Sequence, residues 1–247
     1  MSIEIIQPEI FKNIKGVSAI FTLANREKNF GSDSKKGLNL GLKTTESFSE
    51  FSSNLSQLSK QTGTSLDEIA LAEQVHKNSI EIVDKPGIYK ETDGFITSTA
   101  GLALGIQVAD CAAILIADPV NRIVGAFHAG WRGAVAEIVP IGIDLMINQG
   151  ALADQMYVYV SACISLVNFE VGPEVADKFP DKYCDHKSYR KAHVDLSGFI
   201  KEQIIGKGVP EKNIEVSGNC TIEDDRYFSF RRERDDAGRM LAVIKLT

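Results

Sequence analysis

Short segments rich in valine and isoleucine recur along this chain, at residues 3–6, 17–23, 69–75, 80–83, 102–108, 113–117, 123–127, 156–160, 214–216 and 240–246. Most are bounded by Gly, Asp or Asn, and β-branched runs of this length with turn formers at their ends read as strands. A strand cannot satisfy its own backbone groups, so these segments must pair into sheets. They arrive partly in runs without a helix-length interval. That pattern favours an α+β or mixed α/β fold over a regularly alternating doubly wound sheet. The most apolar stretch, 95–118, is broken by Gln107, Asp110 and Cys111 and punctuated by Gly101 and Gly105. It reads as buried strands and not as a membrane span.

Helical periodicity is confined to three places. Phe48, Phe51, Leu55 and Leu58 line one face of 46–60, and Val135, Ile138, Val139, Gly142, Leu145 and Met146 do the same along 132–148. Pro140 should kink or divide the second run, because proline removes a backbone donor and crowds the preceding turn. A third helix starts with Asp195 as its N-cap and runs through Phe199, Ile200 and Ile204 to Gly206. Residues 28–41, rich in glycine and charge, read as a loop.

No repeat, low-complexity tract or Pro/Ser-rich linker divides the 247 residues, so one domain over 1–247 is expected. Apolar residues make up 44% and charged residues 24%, which is the balance of a globular chain. The net charge of −6 is wrong for a dedicated nucleic-acid binder, whose affinity comes from neutralising phosphates. It leaves room for small anions held by a few arginines. Residues 1–30 lack a basic start followed by an apolar stretch and a cleavage site, so a cytoplasmic protein is expected. Cys111, Cys163, Cys184 and Cys220 show no CxxC pairing and read as reduced thiols.

Four histidines are present, and two of them stand where apolar runs stop. His76 ends Ile69-Ala70-Leu71-Ala72-Glu73-Gln74-Val75-His76, and His128 ends Ile123-Val124-Gly125-Ala126-Phe127-His128. Cys111 follows Val108-Ala109-Asp110 in the same manner. Functional side chains commonly sit at strand ends of a rigid scaffold. Two His and one Cys suit zinc and leave a fourth coordination position for water or substrate. Their separation matches no local metal motif. The residues alone therefore leave two readings open: an open metal site, or two hydrogen-bonded core histidines beside an inert thiol. Gln74 and His76 share a face if their segment is extended. Asp110 could orient a histidine from behind, or simply cap a turn. Arg132, after Gly130-Trp131, could hold an anion or make a structural ion pair. Arg231, Arg232, Arg234 and Arg239 lie among acidic residues in a run that reads as a solvated loop, with room for one arginine to point inward. Cys184 and His186 lie in a polar stretch and receive no role.

Phosphate-loop, dinucleotide-binding, nucleophile-elbow and HExxH signatures are missing, as is the HxE…PCxxC pattern of cytidine-deaminase-like zinc enzymes. Instead the chain resembles the YfiH-like laccase-domain family, also called multicopper polyphenol oxidoreductase-like, from Phe21 to Leu246. The motifs are Leu38-Asn39-Leu40-Gly41, Gln74-Val75-His76, Asp93-Gly94, Val108-Ala109-Asp110-Cys111 and His128-Ala129-Gly130-Trp131-Arg132-Gly133. They continue with Phe169-Glu170-Val171-Gly172, His193-Val194-Asp195-Leu196, Cys220-Thr221, Ser229-Phe230-Arg231 and Gly238-Arg239-Met240.

The resemblance implies mixed sheets layered against helices and a metal, usually zinc with copper as the other candidate, bound by His76, Cys111 and His128. It implies phosphorolysis of adenosine, inosine or methylthioadenosine and hydrolytic deamination of adenosine, with nucleoside and phosphate as partners. Asp110 joins the triad as a catalytic candidate. Asn39 and Arg132, then Asp93 and His193, are the expected substrate contacts. Other readings are a copper polyphenol oxidase, a metal-free cysteine hydrolase using Cys111, and a silent zinc scaffold. The copper oxidase would leave too few imidazoles for a separate oxygen-reducing cluster. The chain departs from the family pattern at Leu55 (commonly arginine), Ala113 (commonly proline), Ser161-Ala162 (commonly Gly-Pro) and Phe230 (commonly tyrosine).

Overall fold

The computed structural model describes residues 3–27 and 36–247. In chain order the first strands are β1 (Ile5–Ile6), β2 (Val17–Thr22), β3 (Ile69–Glu73), β4 (Ile80–Ile82), β5 (Gly87–Lys90), β6 (Gly94–Thr97) and β7 (Ala103–Val108). Then come β8 (Ala112–Asp118), β9 (Ile123–Ala129), β10 (Tyr157–Val160), β11 (Cys184–Asp185), β12 (His193–Val194), β13 (Ile214–Val216) and β14 (Met240–Leu246). The helices are α1 (Glu9–Lys12), α2 (Phe48–Thr62), α3 (Trp131–Val135), α4 (Ile138–Asn148), α5 (Pro173–Ala176), α6 (Leu196–Gly206) and α7 (Phe230–Glu233).

Two six-stranded sheets result, ordered β1-β2-β14-β7-β3-β5 and β13-β10-β8-β9-β6-β4, and β11 pairs with β12 separately. Both large sheets are mixed. Strand β7 runs parallel to β3, which runs parallel to β5. In the second sheet β10 and β13 are parallel, as are β4 and β6. The fold is mixed α/β, as expected.

Period-two alternation explains the layering. Leu104, Ile106, Ala242 and Ile244 of the first sheet meet Ala113, Leu115, Ala117, Val124 and Ala126 of the second in one apolar layer between the sheets. Their strand neighbours point outward. Ile69, Leu71, Leu241 and Val243 pack under α2 through Phe51, Leu55 and Leu58. Ile114, Ile116 and Phe127 pack under α4 and α6 through Ile143, Met146, Ile200 and Ile204. A Cβ on Gly142 would stand 2.6 Å from the Phe127 ring, so glycine is what lets α4 approach β9.

The three expected helices form, with informative boundaries. The Ser47 hydroxyl caps α2 by accepting from the Glu50 N–H, and Gly63 closes it at φ 65°. Asp195 caps α6 by accepting from the Gly198 N–H. The run over 132–148 does divide, but the break falls at Glu137, which adopts φ 60°. Pro140 sits in the first turn of α4, where its missing N–H has no partner to lose. Strand β3 stops at Glu73, short of His76. The brief strands β5, β11 and β12, polar or flanked by charge, went unread in the sequence. Of the expected 28–41 loop, residues 28–35 lie outside the described residues, and 36–41 form neither helix nor strand. No helix among the described residues is long and apolar enough to cross a membrane. All four cysteines are free thiols.

Two of the departures from the pattern that the resemblance implies meet in the structure. The Ala113 N–H donates to Ser161 Oγ at 2.9 Å, and the Ser161 N–H donates to the Ala113 carbonyl at 2.9 Å. Proline at 113 would have no N–H to place, whereas alanine does, and the serine oxygen receives it. Ser161 is fully buried and its hydroxyl donates onward to the Ala162 carbonyl. Ser161→Ala should therefore strand a buried donor and destabilise the fold by about 1–3 kcal/mol, measured as a shift in urea midpoint at unchanged slope.

Candidate metal centre and its cavity

The three candidate ligands arrive from different places. His128 lies on β9, Cys111 in the turn joining β7 of the first sheet to β8 of the second, and His76 beyond the end of β3. One ring nitrogen of each histidine and the Cys111 sulfur lie within 4.8 Å of one another. The two rings meet edge to face with centroids 4.7 Å apart. His128 is buried, Cys111 half-buried and His76 exposed.

A single carboxylate arranges both imidazoles. Asp93, fully buried between β5 and β6, holds the His128 ring nitrogen Nδ1 at 2.8 Å from its Oδ1. The same carboxylate accepts the backbone N–H of Val75 (3.2 Å), His76 (2.9 Å) and Lys77 (2.8 Å). The Asp93 carbonyl also accepts the His128 N–H at 2.7 Å. His76 bends around this anchor at φ 61°, so its side chain does not alternate with Gln74 as an extended strand would require. Gln74 instead continues the sheet. Its amide donates to the Gln107 carbonyl at 2.7 Å and accepts the Gln107 N–H at 2.8 Å.

The electrostatics follow from these contacts. Burial pushes the Cys111 thiol up, but the charge and hydrogen bond of His128, aided by His76, outweigh it and bring the thiol down to about 6. Burial pushes His128 down, and the Cys111 thiolate with Asp93 raises it to about 9. Asp93 is raised by burial and lowered more strongly by the His128 hydrogen bond and the Lys77 and His76 N–H groups, ending below the ordinary carboxylate range.

This donor set fits a metal ion. Donors around a tetrahedral ion with bonds of about 2.0–2.3 Å stand roughly 3.5 Å apart, within reach of the observed cluster. Gly130 keeps the space clear, because a Cβ there would stand 2.7 Å from the Cys111 sulfur and 3.5 Å from His76 Cδ2. Asp93 supplies the carboxylate behind a histidine that metal-binding imidazoles usually have.

His76 and Cys111 of the triad line a cavity of about 610 Å³, a size suited to a small organic molecule, with His128 buried behind them. Its walls include Trp131, Phe169, Phe230, Glu73, Asp110 and Arg132. Asp110 sits at φ 78°, and its two oxygens accept from Thr221 Oγ1 and the Arg231 N–H, each at 2.6 Å. Arg132 is exposed and stacks over Trp131 at 4.2 Å.

The other expected substrate contacts stand outside the cavity lining. Asn39 is fully buried, and its amide oxygen accepts the N–H groups of Gly41 and Arg239. His193 Nδ1 lies 2.9 Å from the Leu166 carbonyl, under the stacked Tyr189 ring. Asp93 is hydrogen-bonded to both histidines and does not line the cavity. Leu55, where the resemblance implies an arginine, is buried in the apolar layer beneath α2. The run at 231–239 is not wholly a solvated loop, since Arg231, Arg234 and Arg239 all line the cavity. Only the position of Arg239, directly before a buried strand, hinted at this.

Known proteins resemble the chain in both sequence and fold. The chain is 35% identical over 196 residues to a purine nucleoside phosphorylase of Deinococcus radiodurans, covering 78% of this chain and 76% of that protein. It is 28% identical to adenosine deaminase RL5 from an unknown prokaryote, over 98% of both chains. The crystal structure of Bacillus licheniformis hypothetical protein YfiH superimposes with a TM-score of 0.87 at 28% identity, covering 94% of this chain and 93% of the other. The family profile described as multi-copper polyphenol oxidoreductase laccase matches residues 20–247. By sequence and by fold alike, this chain belongs to that laccase-domain family.

Proposed function

We propose that the protein is a zinc-dependent purine nucleoside enzyme, cleaving adenosine, inosine or methylthioadenosine with phosphate and deaminating adenosine with water. The observation that carries this reading is the convergence of His76, Cys111 and His128 at a cavity of nucleoside size. The names of the relatives support the substrate class. Zinc held by these three ligands would supply a Lewis acid with one position left for water or a substrate oxygen.

The chain's own residues supply the rest. Asp93 keeps a proton on His128 Nδ1 and so aims Nε2 at the site. The aromatic side chains of Trp131 and Phe169 on the cavity wall offer a purine apolar surface. Asp110, on the cavity wall beside Cys111, is the carboxylate we assign to proton transfer, and Arg132 a substrate contact at the wall.

Two other readings have specific anchors. The thiolate of Cys111 beside a protonated His128 resembles the pair of a cysteine hydrolase, but that role leaves His76 without a task. A copper phenol oxidase would use the same donors. Among the described residues the triad is the one cluster of three or more potential ligands.

Anaerobic incubation with adenosine and phosphate, followed by chromatography, separates the readings. Adenine with ribose 1-phosphate, or inosine, is expected, with activity lost on zinc removal and restored on zinc return. Full activity of His128→Ala would overturn the proposal. Asp93→Asn should retain the fold by circular dichroism yet lose about 10–100-fold in metal affinity, measured against a chelating indicator. Between pH 6 and 9 the Cys111–His128 pair holds one proton, on His128, so zinc loading should release about one proton. As pH falls through 6 the thiolate is protonated as well, and zinc affinity should fall more steeply.

A further inference from the structure

Three arginines on the cavity wall, Arg231, Arg234 and Arg239, make no ion pair with any carboxylate among the described residues. Arg231 donates from Nη1 to the Glu170 carbonyl at 3.0 Å, and its guanidinium lies 5.9 Å from the Phe169 ring centre. Arg239 donates from Nη1 to the Ala237 and Gly238 carbonyls at 2.8 and 2.9 Å, and lies 5.9 Å from the Phe230 ring centre. Arg234 reaches the same cavity from a backbone at φ 54°, ψ −128°, a region that non-glycine residues rarely occupy. Among the described residues no carboxylate oxygen lies within 4.0 Å of these three guanidinium groups.

Their neighbours behave differently. Arg26 and Arg232 both pair with Glu233, and Arg226 pairs with Asp224. Glu233 and Asp224 are thus drawn toward the outer arginines, while Asp110 and Glu233 act on Arg239, and Arg231 on Glu170, only as charges at longer range. Arg231 and Arg239 are half-buried and steadied by neutral carbonyls, which fix position without cancelling charge. Like charges sharing one cavity wall repel one another, and half-burying Arg231 and Arg239 carries a desolvation cost. A bound oxyanion removes both costs, and guanidinium forks match its oxygens in pairs. The Arg231 backbone N–H is tied to Asp110, next to the ligand Cys111, so this wall is registered to the metal centre.

We propose that Arg231, Arg234 and Arg239 form the subsite for inorganic phosphate. Its place in turnover rests on the purine nucleoside reading. There a phosphate oxygen forms a bond to the anomeric carbon, and the glycosidic C–N bond breaks. The electron pair leaves on the purine nitrogen, which gains the proton that hydrogen phosphate gives up, relayed through Asp110. The binding itself does not depend on that chemistry.

The test is calorimetric titration of inorganic phosphate into the zinc-loaded protein, paired with phosphate KM wherever turnover is measurable. Arg231→Gln, Arg234→Gln and Arg239→Gln are each expected to weaken phosphate binding tenfold or more and to raise phosphate KM in step. Arg122→Gln, a surface control whose side chain contacts the Thr247 carbonyl, should bind as the wild type does. Arg234→Gln removes no side-chain hydrogen bond seen among the described residues, so it tests the idea even if Arg239→Gln fails to fold. Phosphate affinity within twofold of wild type in the folded variants would overturn the subsite. Lost binding in the variants, in a protein that never releases purine, would uphold the subsite while refuting the nucleoside reading.

Discussion

One buried carboxylate holds the candidate site together. Asp93 takes hydrogen bonds from a side chain on one sheet and from the backbone of a loop leaving the other, and both carry a histidine of the triad. Without water to share the load, a buried carboxylate must be satisfied by protein donors. It has four of them here. The positions of His76 and His128 are therefore not independent: each is set by what the same anion needs. The left-handed turn at His76 is part of that arrangement, since it lets three successive N–H groups point at one carboxylate.

The surrounding architecture gives this anchor its geometry. The chain passes from one sheet to the other between β7 and β8, and Cys111 sits at that crossing. A metal joined to all three ligands would bind the sheets to each other as well as activate a substrate. Ligand binding to the native state adds stability in proportion to the logarithm of its concentration over its dissociation constant. Metal occupancy and resistance to unfolding should accordingly be linked in this fold. The cavity opens beside the crossing, where Gln74 and Gln107 extend the pairing of β3 and β7 through their side chains.

Much of this was legible from residue order, for identifiable reasons. Alternation of small and branched apolar residues on β7, β8 and β9 marked buried strands. The caps at Ser47 and Asp195 are local chemistry, visible within a few residues. The triad was legible only because soft ligands ended apolar runs in recognisable motifs. Roles behind the triad were not. Asp93 was expected at the substrate, yet it orients the ring; Asp110, expected either as a catalytic group or behind a histidine, lines the cavity. Nothing local separates two aspartates at loop ends, because the difference lies in contacts made across the sheets. The division of the arginines at 226–239 into paired and cavity-facing groups is hidden in the same way, since each partner choice depends on how the segment folds over Phe228 and Met240.

The bond between Ala113 and Ser161 bears on how such a chain would diverge from a relative with proline at 113 and glycine at 161, the pattern that the resemblance implies. The two substitutions need not be equivalent as first steps. Alanine arriving before serine would expose a buried amide hydrogen to an apolar void. Serine arriving first keeps a use for its hydroxyl, which already donates to the carbonyl of residue 162. Lineages crossing between the two pairings should pass more readily through the proline–serine intermediate, and the two positions should change together.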